Sequence, residues 1–162
     1  MRAPLPRRYD PAIVTDAART PSDLTAQLIL TAYGQGAFPM AQGRDSDQVM
    51  WYSPDPRAVL PLDKLRVPRS LRRVIRQRRF EIRHDTSFEE VMRGCAEPRG
   101  DDEETWINPA IMTVFSRLHA LGFAHSVETW RDGRLMGGLY GLAIGGAFFG
   151  ESMYRDRTTD QS

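Results

Sequence analysis

Between Arg57 and Arg79 the chain places nine basic residues (57, 64, 66, 69, 72, 73, 76, 78 and 79) against a single acid, Asp63. The overall net charge of +1 conceals this concentration. Arg69, Arg72, Arg73 and Arg76 follow the i, i+3, i+4, i+7 spacing of one helical face. A guanidinium is a planar fork able to hold a phosphate with two parallel hydrogen bonds. Four on one face therefore suit a polyanion, nucleic acid above all; the alternative is a solvated basic surface paired with the acids at 101–104. Leu71, Val74 and Ile75 fall on the opposite face, which is expected to pack on the domain. Other reactive residue types are sparse. His84, His119 and His125 have no Cys, Ser or acid at triad or metal spacing and read as structural. Cys95 is the only cysteine, which excludes an internal disulfide and fits a reducing, cytoplasmic setting. An acetyl-CoA site would need a Gly-rich loop leading into a helix N-terminus, and no helix follows Gly145-Gly146.

The elements that must hold these groups can be read from periodicity and punctuation. Hydrophobic and charged fractions of 41% and 27% are those of a globular chain. Residues 1–20, rich in Pro, Arg and Asp, read as a flexible arm with no secretory signal. A first helix is expected over Leu24–Tyr33, entered through Pro21-Ser22-Asp23 and ended near Gly34 and Gly36. Residues 41–49 read as a polar loop, and Pro54 and Pro56 force extended or turn geometry after Trp51. A helix over Ser70–Arg78 and a strand over Phe80–Arg83 follow. Thr86-Ser87-Phe88-Glu89 has the form of a capping box opening a helix through Cys95, and 97–104 is a charged loop. Asn108-Pro109 starts a helix that Gly122 stops. Strands are expected over Ala124–Trp130, Leu135–Ile144 and Ala147–Tyr154, the first two joined at Asp132-Gly133. The uncharged run Leu135–Gly150 has 16 residues, six of them Gly. That is short of the roughly 20 a membrane helix needs, so a strand pair is expected and no membrane association. Helices followed by antiparallel strands make the fold class α+β.

Three ordered groups of segments resemble the leucyl/phenylalanyl-tRNA–protein transferase family. The first is Tyr33-Gly34-Gln35-Gly36-Ala37-Phe38-Pro39-Met40 with Trp51-Tyr52-Ser53-Pro54-Asp55-Pro56-Arg57-Ala58-Val59-Leu60. The second is Thr105-Trp106-Ile107, Leu118-His119-Ala120-Leu121-Gly122 and Ala124-His125-Ser126-Val127-Glu128-Thr129-Trp130. The third is Gly137-Gly138-Leu139-Tyr140-Gly141 with Phe149-Gly150-Glu151-Ser152-Met153-Tyr154. The resemblance spans about residues 24–154. It implies a small N-terminal α/β domain (1–60) and a GNAT-like (acyl-CoA N-acyltransferase-like), mostly antiparallel domain (61–162) that is incomplete here. It implies movement of Leu, Phe or Met from aminoacyl-tRNA to the N-terminal Arg or Lys of an acceptor protein, marking it for N-degron proteolysis. No acetyl-CoA, other cofactor or metal is implied, and a monomer is expected. Residue by residue, it implies that Glu151 orients or deprotonates the attacking amine. Leu139, Phe148, Phe149 and Met153 would form the aminoacyl pocket, and Trp106 would stack on the 3′ adenosine. Arg69, Arg72, Arg73 and Arg76 would grip the tRNA. The chain departs from the family pattern at Gly34, Met40 and Arg155, and has no counterpart of a later helix and a strand carrying an Asp and a Gln. Impaired catalysis in a shortened form is the expectation from that; a tRNA-binding module without catalysis is the alternative.

Overall fold

A computed structural model describes residues 24–98 and 105–156; the expected arm, the entry Pro21-Ser22-Asp23 and most of the 97–104 loop lie outside them. The first helix, α1, runs Ala26–Gly34. It starts later than the apolar pattern does, because the Thr25 hydroxyl accepts from the Leu28 N–H and makes Thr25 the cap. Its end is a left-handed closure. Gly36 sits at φ +85°, and the Ala37 N–H reaches back to the Ala32 carbonyl.

Strands β1 (Phe38–Ala41) and β2 (Val49–Tyr52) then pair as an antiparallel hairpin, Phe38 opposite Tyr52 and Ala41 opposite Val49. The expected polar loop is real, but the sequence reading missed the two short strands flanking it. They alternate half-buried and buried residues, yet four residues with a Pro in one of them give too little period-two signal. Asn108 fastens the loop, its side-chain amide donating to the Ser46 carbonyl at 2.8 Å.

Helix α2 (Arg69–Arg76) forms after Pro68, and β3 (Glu81–His84) follows. The expectation that α2 packs its apolar face on the domain fails. Leu71, Val74 and Ile75 are 47%, 39% and 60% exposed, and no residue between Trp51 and Phe88 is buried. Amphipathic spacing defines a face that can be covered, not the surface that covers it. Here the later helices over Phe88–Ala96 and Pro109–Ala120 already pack on the sheet, and no described element is left to meet α2.

Helix α3 (Phe88–Ala96) begins where expected, but the capping box does not form: Ser87 makes no side-chain cap. The carboxylate of Glu128, from the neighbouring sheet, takes over. It accepts from the Thr86 and Ser87 N–H groups at 2.9 and 2.8 Å, and from the Thr86 hydroxyl. A sequence window of four residues cannot contain a partner 41 positions away. Helix α4 (Pro109–Ala120) has the predicted Asn108 cap, which accepts from the Ile111 N–H at 2.9 Å, and Gly122 at φ +79° ends it.

Strands β4 (Ala124–Arg131), β5 (Arg134–Ile144) and β6 (Ala147–Arg155) complete an antiparallel sheet of order β3-β4-β5-β6. Asp132 and Gly133, both at positive φ, make the two-residue turn. All strand pairs among the described residues are antiparallel, and with four helices they make the architecture α+β. One buried cluster runs from Ile29 and Tyr33 through Trp51, Met92, Phe115 and Leu118 to Tyr140 and Leu142. Among the described residues no helix is long and apolar enough to cross a membrane; Leu135–Gly150 is the β5–β6 pair.

Candidate functional site

The register between β5 and β6 slips at one point. Tyr140 faces Ser152 and Gly141 faces Gly150, so Glu151 is an extra residue without a partner opposite. Such a bulge breaks the period of two and re-aims a side chain. In a regular strand Phe149, Glu151 and Met153 would share a face. Here Phe149 opposes the buried Leu142, Glu151 stays on that side, and Met153 moves to the other side opposite Leu139. Gly141 makes the slip feasible: a Cβ there would lie 2.7 Å from the Phe148 ring and collide with the Phe149 carbonyl.

Glu151 lines a cavity of about 890 Å³ together with Phe38, Met40, Arg57, Trp106, Phe148 and Phe149. Several parts of the chain deliver them, with Phe148 and Phe149 on the same strand as Glu151. Phe38 and Met40 come from β1, and the Ala41 N–H donates to the Trp106 carbonyl at 3.1 Å, drawing Trp106 alongside. Arg57 enters from the segment after β2. Its guanidinium stands over the rings of Phe38 and Phe149, 5.3 and 5.6 Å from their centroids, and Nη1 donates to the Gly36 carbonyl at 3.0 Å. Tyr33, from α1, meets Phe149 edge-on at 5.3 Å.

These surroundings set the protonation of Glu151. Loss of water raises its pKa from 4.5 to about 7, although the neighbouring Tyr33 hydroxyl and the charge of Arg57 pull the other way. The residue as a whole is half-buried; its carboxyl is the enclosed part. The Tyr33 and Tyr140 hydroxyls are buried and lack a hydrogen-bond partner of ordinary geometry. Burial and the nearby Glu151 push both phenols well above their usual range. Two unsatisfied phenols beside a proton-holding carboxyl form a polar pocket within an apolar wall.

The residues singled out from sequence thus divide. Glu151, Trp106, Phe148 and Phe149 meet around one cavity. Leu139 and Met153 do not join it: they oppose one another across the bulge's far side, and Met153 is 65% exposed. Arg69, Arg72, Arg73 and Arg76 line a separate shallow groove of about 470 Å³ with Gln77. Among the described residues none of the four is in an ion pair with a carboxylate; positions 101–104 fall outside that set. The seven residues from Leu62, on the cavity rim, to Arg69 span at most about 25 Å, which bounds the separation along the chain between cavity rim and groove.

Tyr33 and Arg57 were not marked as site residues by sequence reasoning. The available signal was their place in the first and most aromatic of the resembling segments. Two of the three histidines have partners in the fold. His125 Nδ1 lies 2.8 Å from Asp85 Oδ2, and His119 stacks on Phe88 at 4.2 Å. For His119 and His125 an acid distant in sequence, Asp85, is supplied through space. Burial opposes ionisation of Asp85, but the hydrogen bonds from His125 and the Ser126 N–H outweigh it and lower its pKa. Among the described residues no cluster of His, Cys, Asp or Glu could hold a metal.

The fold and this geometry define an α+β protein with a bulge-mounted carboxyl in an aromatic cavity and a separate guanidinium face on α2. The profile described as "Leucyl/phenylalanyl-tRNA protein transferase" matches residues 59–162, and that of the same family's N-terminal domain matches residues 22–55. The chain belongs to the leucyl/phenylalanyl-tRNA–protein transferase family. It is 56% identical over 135 residues to a curated protein of that name from Paramagnetospirillum magneticum, covering 83% of this chain and 65% of that one. It is 52% identical to the one from Azoarcus sp. over 139 residues, with coverages of 86% and 58%. For that of Gloeobacter violaceus the figures are 54% over 131 residues, 81% and 65%. The chain therefore spans about three fifths of the length of the relatives it matches.

Proposed function

We propose that the chain carries the aminoacyl-tRNA-binding and carboxyl-bearing part of an aminoacyltransferase that moves Leu, Phe or Met from tRNA to the N-terminal Arg or Lys of an acceptor protein, an N-degron mark. The observation that carries this is Glu151, held near neutral titration in an aromatic cavity, in a chain whose α2 arginines form a groove without an ion pair among the described residues. The aminoacyl ester is already activated, so the task is to hold two reactants together and manage one proton. The acceptor's amine attacks the ester carbonyl, a peptide bond forms, and the bond to the 3′-oxygen breaks. The proton leaves the amine through Glu151 and ends on that oxygen. An α-amine has a pKa of roughly 7.7–8.0, so passing its proton to a carboxylate at about 7 costs only about 1 kcal/mol. To an ordinary Glu at 4.5 it would cost about 4–5 kcal/mol.

Trp106 supplies a surface for the terminal adenine, where stacking is worth roughly 1–3 kcal/mol. Phe148 and Phe149 form the apolar wall for the aminoacyl side chain; Leu139 and Met153 sit too far round the sheet for that role. The antiparallel meander, with helices on one face, supports a GNAT-like reading of 61–162, and the segment to residue 60 serves as the small N-terminal domain. A second reading, tRNA binding without transfer, is favoured by one feature: the arginine groove is complete within α2 and needs nothing from the cavity. Incubating the chain with charged tRNA and an Arg-starting peptide separates the two. Transfer that disappears in Glu151→Gln supports the first; tRNA binding with no transfer supports the second; neither binding nor transfer refutes both.

A further inference from the structure

Arg57 belongs to none of the roles above, yet its placement is over-determined. One guanidinium stands over an aromatic ring from β1 and another from β6, donates to the carbonyl of the glycine that ends α1, and lines the cavity of Glu151. An arginine tied to three elements loses little further freedom, so its charge is fixed in direction. Rings attract it through their faces, and among the described residues no carboxylate forms an ion pair with it to neutralise it.

We infer that Arg57 is the positioning residue of Glu151, its guanidinium closing the aromatic wall of the cavity while presenting a fixed positive charge to the carboxyl. The inference rests on Glu151 being the reactive group of the proposed function. The groups facing that carboxyl are the Tyr33 hydroxyl from α1, the Tyr140 hydroxyl from β5 and Arg57. Burial alone drives Glu151 towards permanent protonation, and both phenols are themselves protonated at neutral pH. The Tyr33 hydroxyl and, after it, the charge of Arg57 hold the proton affinity down, and Arg57 is the one cation among these groups, helping to keep the carboxyl where it can release as well as accept.

The test is a titration of the Glu151 carboxyl in the 162-residue chain, followed by carbon-detected NMR and assigned by its loss in Glu151→Gln. Arg57→Gln removes the charge and leaves a shorter, planar polar side chain; Glu151 must then titrate at higher pH than in the wild type. Arg57→Lys keeps the charge and must stay close to the wild type. An unchanged titration in Arg57→Gln, or an equal rise in both variants, overturns the inference. Should Arg57→Gln not fold, Phe38→Leu removes one of the two rings and loosens the guanidinium; Glu151 must again rise, and a wild-type value there overturns the inference as well. The readout needs no transfer activity, so it stands apart from the proposed function. Where transfer is measured, Arg57→Gln loses rate at neutral pH and regains it in more alkaline buffer, which a merely structural defect would not do.

Discussion

Replacing Arg72, Arg73 and Arg76 together by Ala tests whether the α2 groove holds RNA. Each phosphate contact steepens the fall of log K against log salt by roughly 0.7–0.9. If all four groove arginines engage phosphates, their share of the slope is about 2.8–3.6. Between 50 and 200 mM salt that share weakens binding by about 50- to 150-fold, against about threefold when Arg69 alone remains. The structure removes the usual objection to a triple substitution. No residue of α2 is buried, the three arginines are in no ion pair among the described residues, and Ala is the better helix former. The variant must therefore unfold thermally with the wild type. The assay is a filter-binding or fluorescence titration of tRNA at several salt concentrations, with thermal unfolding as the control. A slope equal to the wild type's, in a folded variant, refutes the assignment of the groove to RNA.

Three further outcomes follow from the geometry. Glu128 is buried, and although desolvation would raise its pKa, the hydrogen bonds from Thr86, the Ser87 N–H, Trp130 and Ser126 bring it down from 4.5 to about 2. Its folded value lies below the unfolded one, so this stabilisation is complete above about pH 4.5 and disappears as pH falls towards 2. The displacement corresponds to about 3 kcal/mol; urea unfolding of Glu128→Gln must show a loss of that order at pH 7 and a smaller one near pH 3. Asn108→Ala removes both the cap of α4 and the tie to Ser46; an unfolding free energy lower by about 1–2 kcal/mol is expected. Gly141→Ala sets a methyl against the Phe149 carbonyl and the Phe148 ring; a cost of about 1–3 kcal/mol is expected, with the near-neutral titration of Glu151 lost as the bulge shifts.

What could be read in the sequence, and what could not, divides by the range of the interaction responsible. The Asn108-Pro109 start, the Gly122 stop and the Asp132-Gly133 turn are decided within a few residues, and the structure has all three. The arginine face of α2 is equally local. Its apolar face was misjudged because burial belongs to a partner and not to a periodicity. The cap of α3 was misassigned for a related reason: Thr86-x-x-Glu89 is a sufficient local pattern, but a buried carboxylate 41 residues on competes for the same N–H groups and wins. Three aromatic residues of the pocket, Trp106, Phe148 and Phe149, and Glu151 were legible from the resemblance; Tyr33 and Arg57 became visible only when α1, the hairpin and β6 were brought together.

The bulge is where these levels meet. Without it, the alternation of β6 puts Met153 beside Phe149 and Glu151, a compact aminoacyl pocket on one face. With it, the chain gives up one ladder position and moves Met153 to the other face, while Glu151 stays on the side of Phe149, towards Tyr33, Tyr140 and Arg57. A strand that only had to pack would keep the regular register, since an unpaired residue and two unsatisfied phenols both cost stability. Their retention around a single enclosed carboxyl is accounted for if that carboxyl must exchange a proton near neutrality, and by no packing requirement evident among the described core residues.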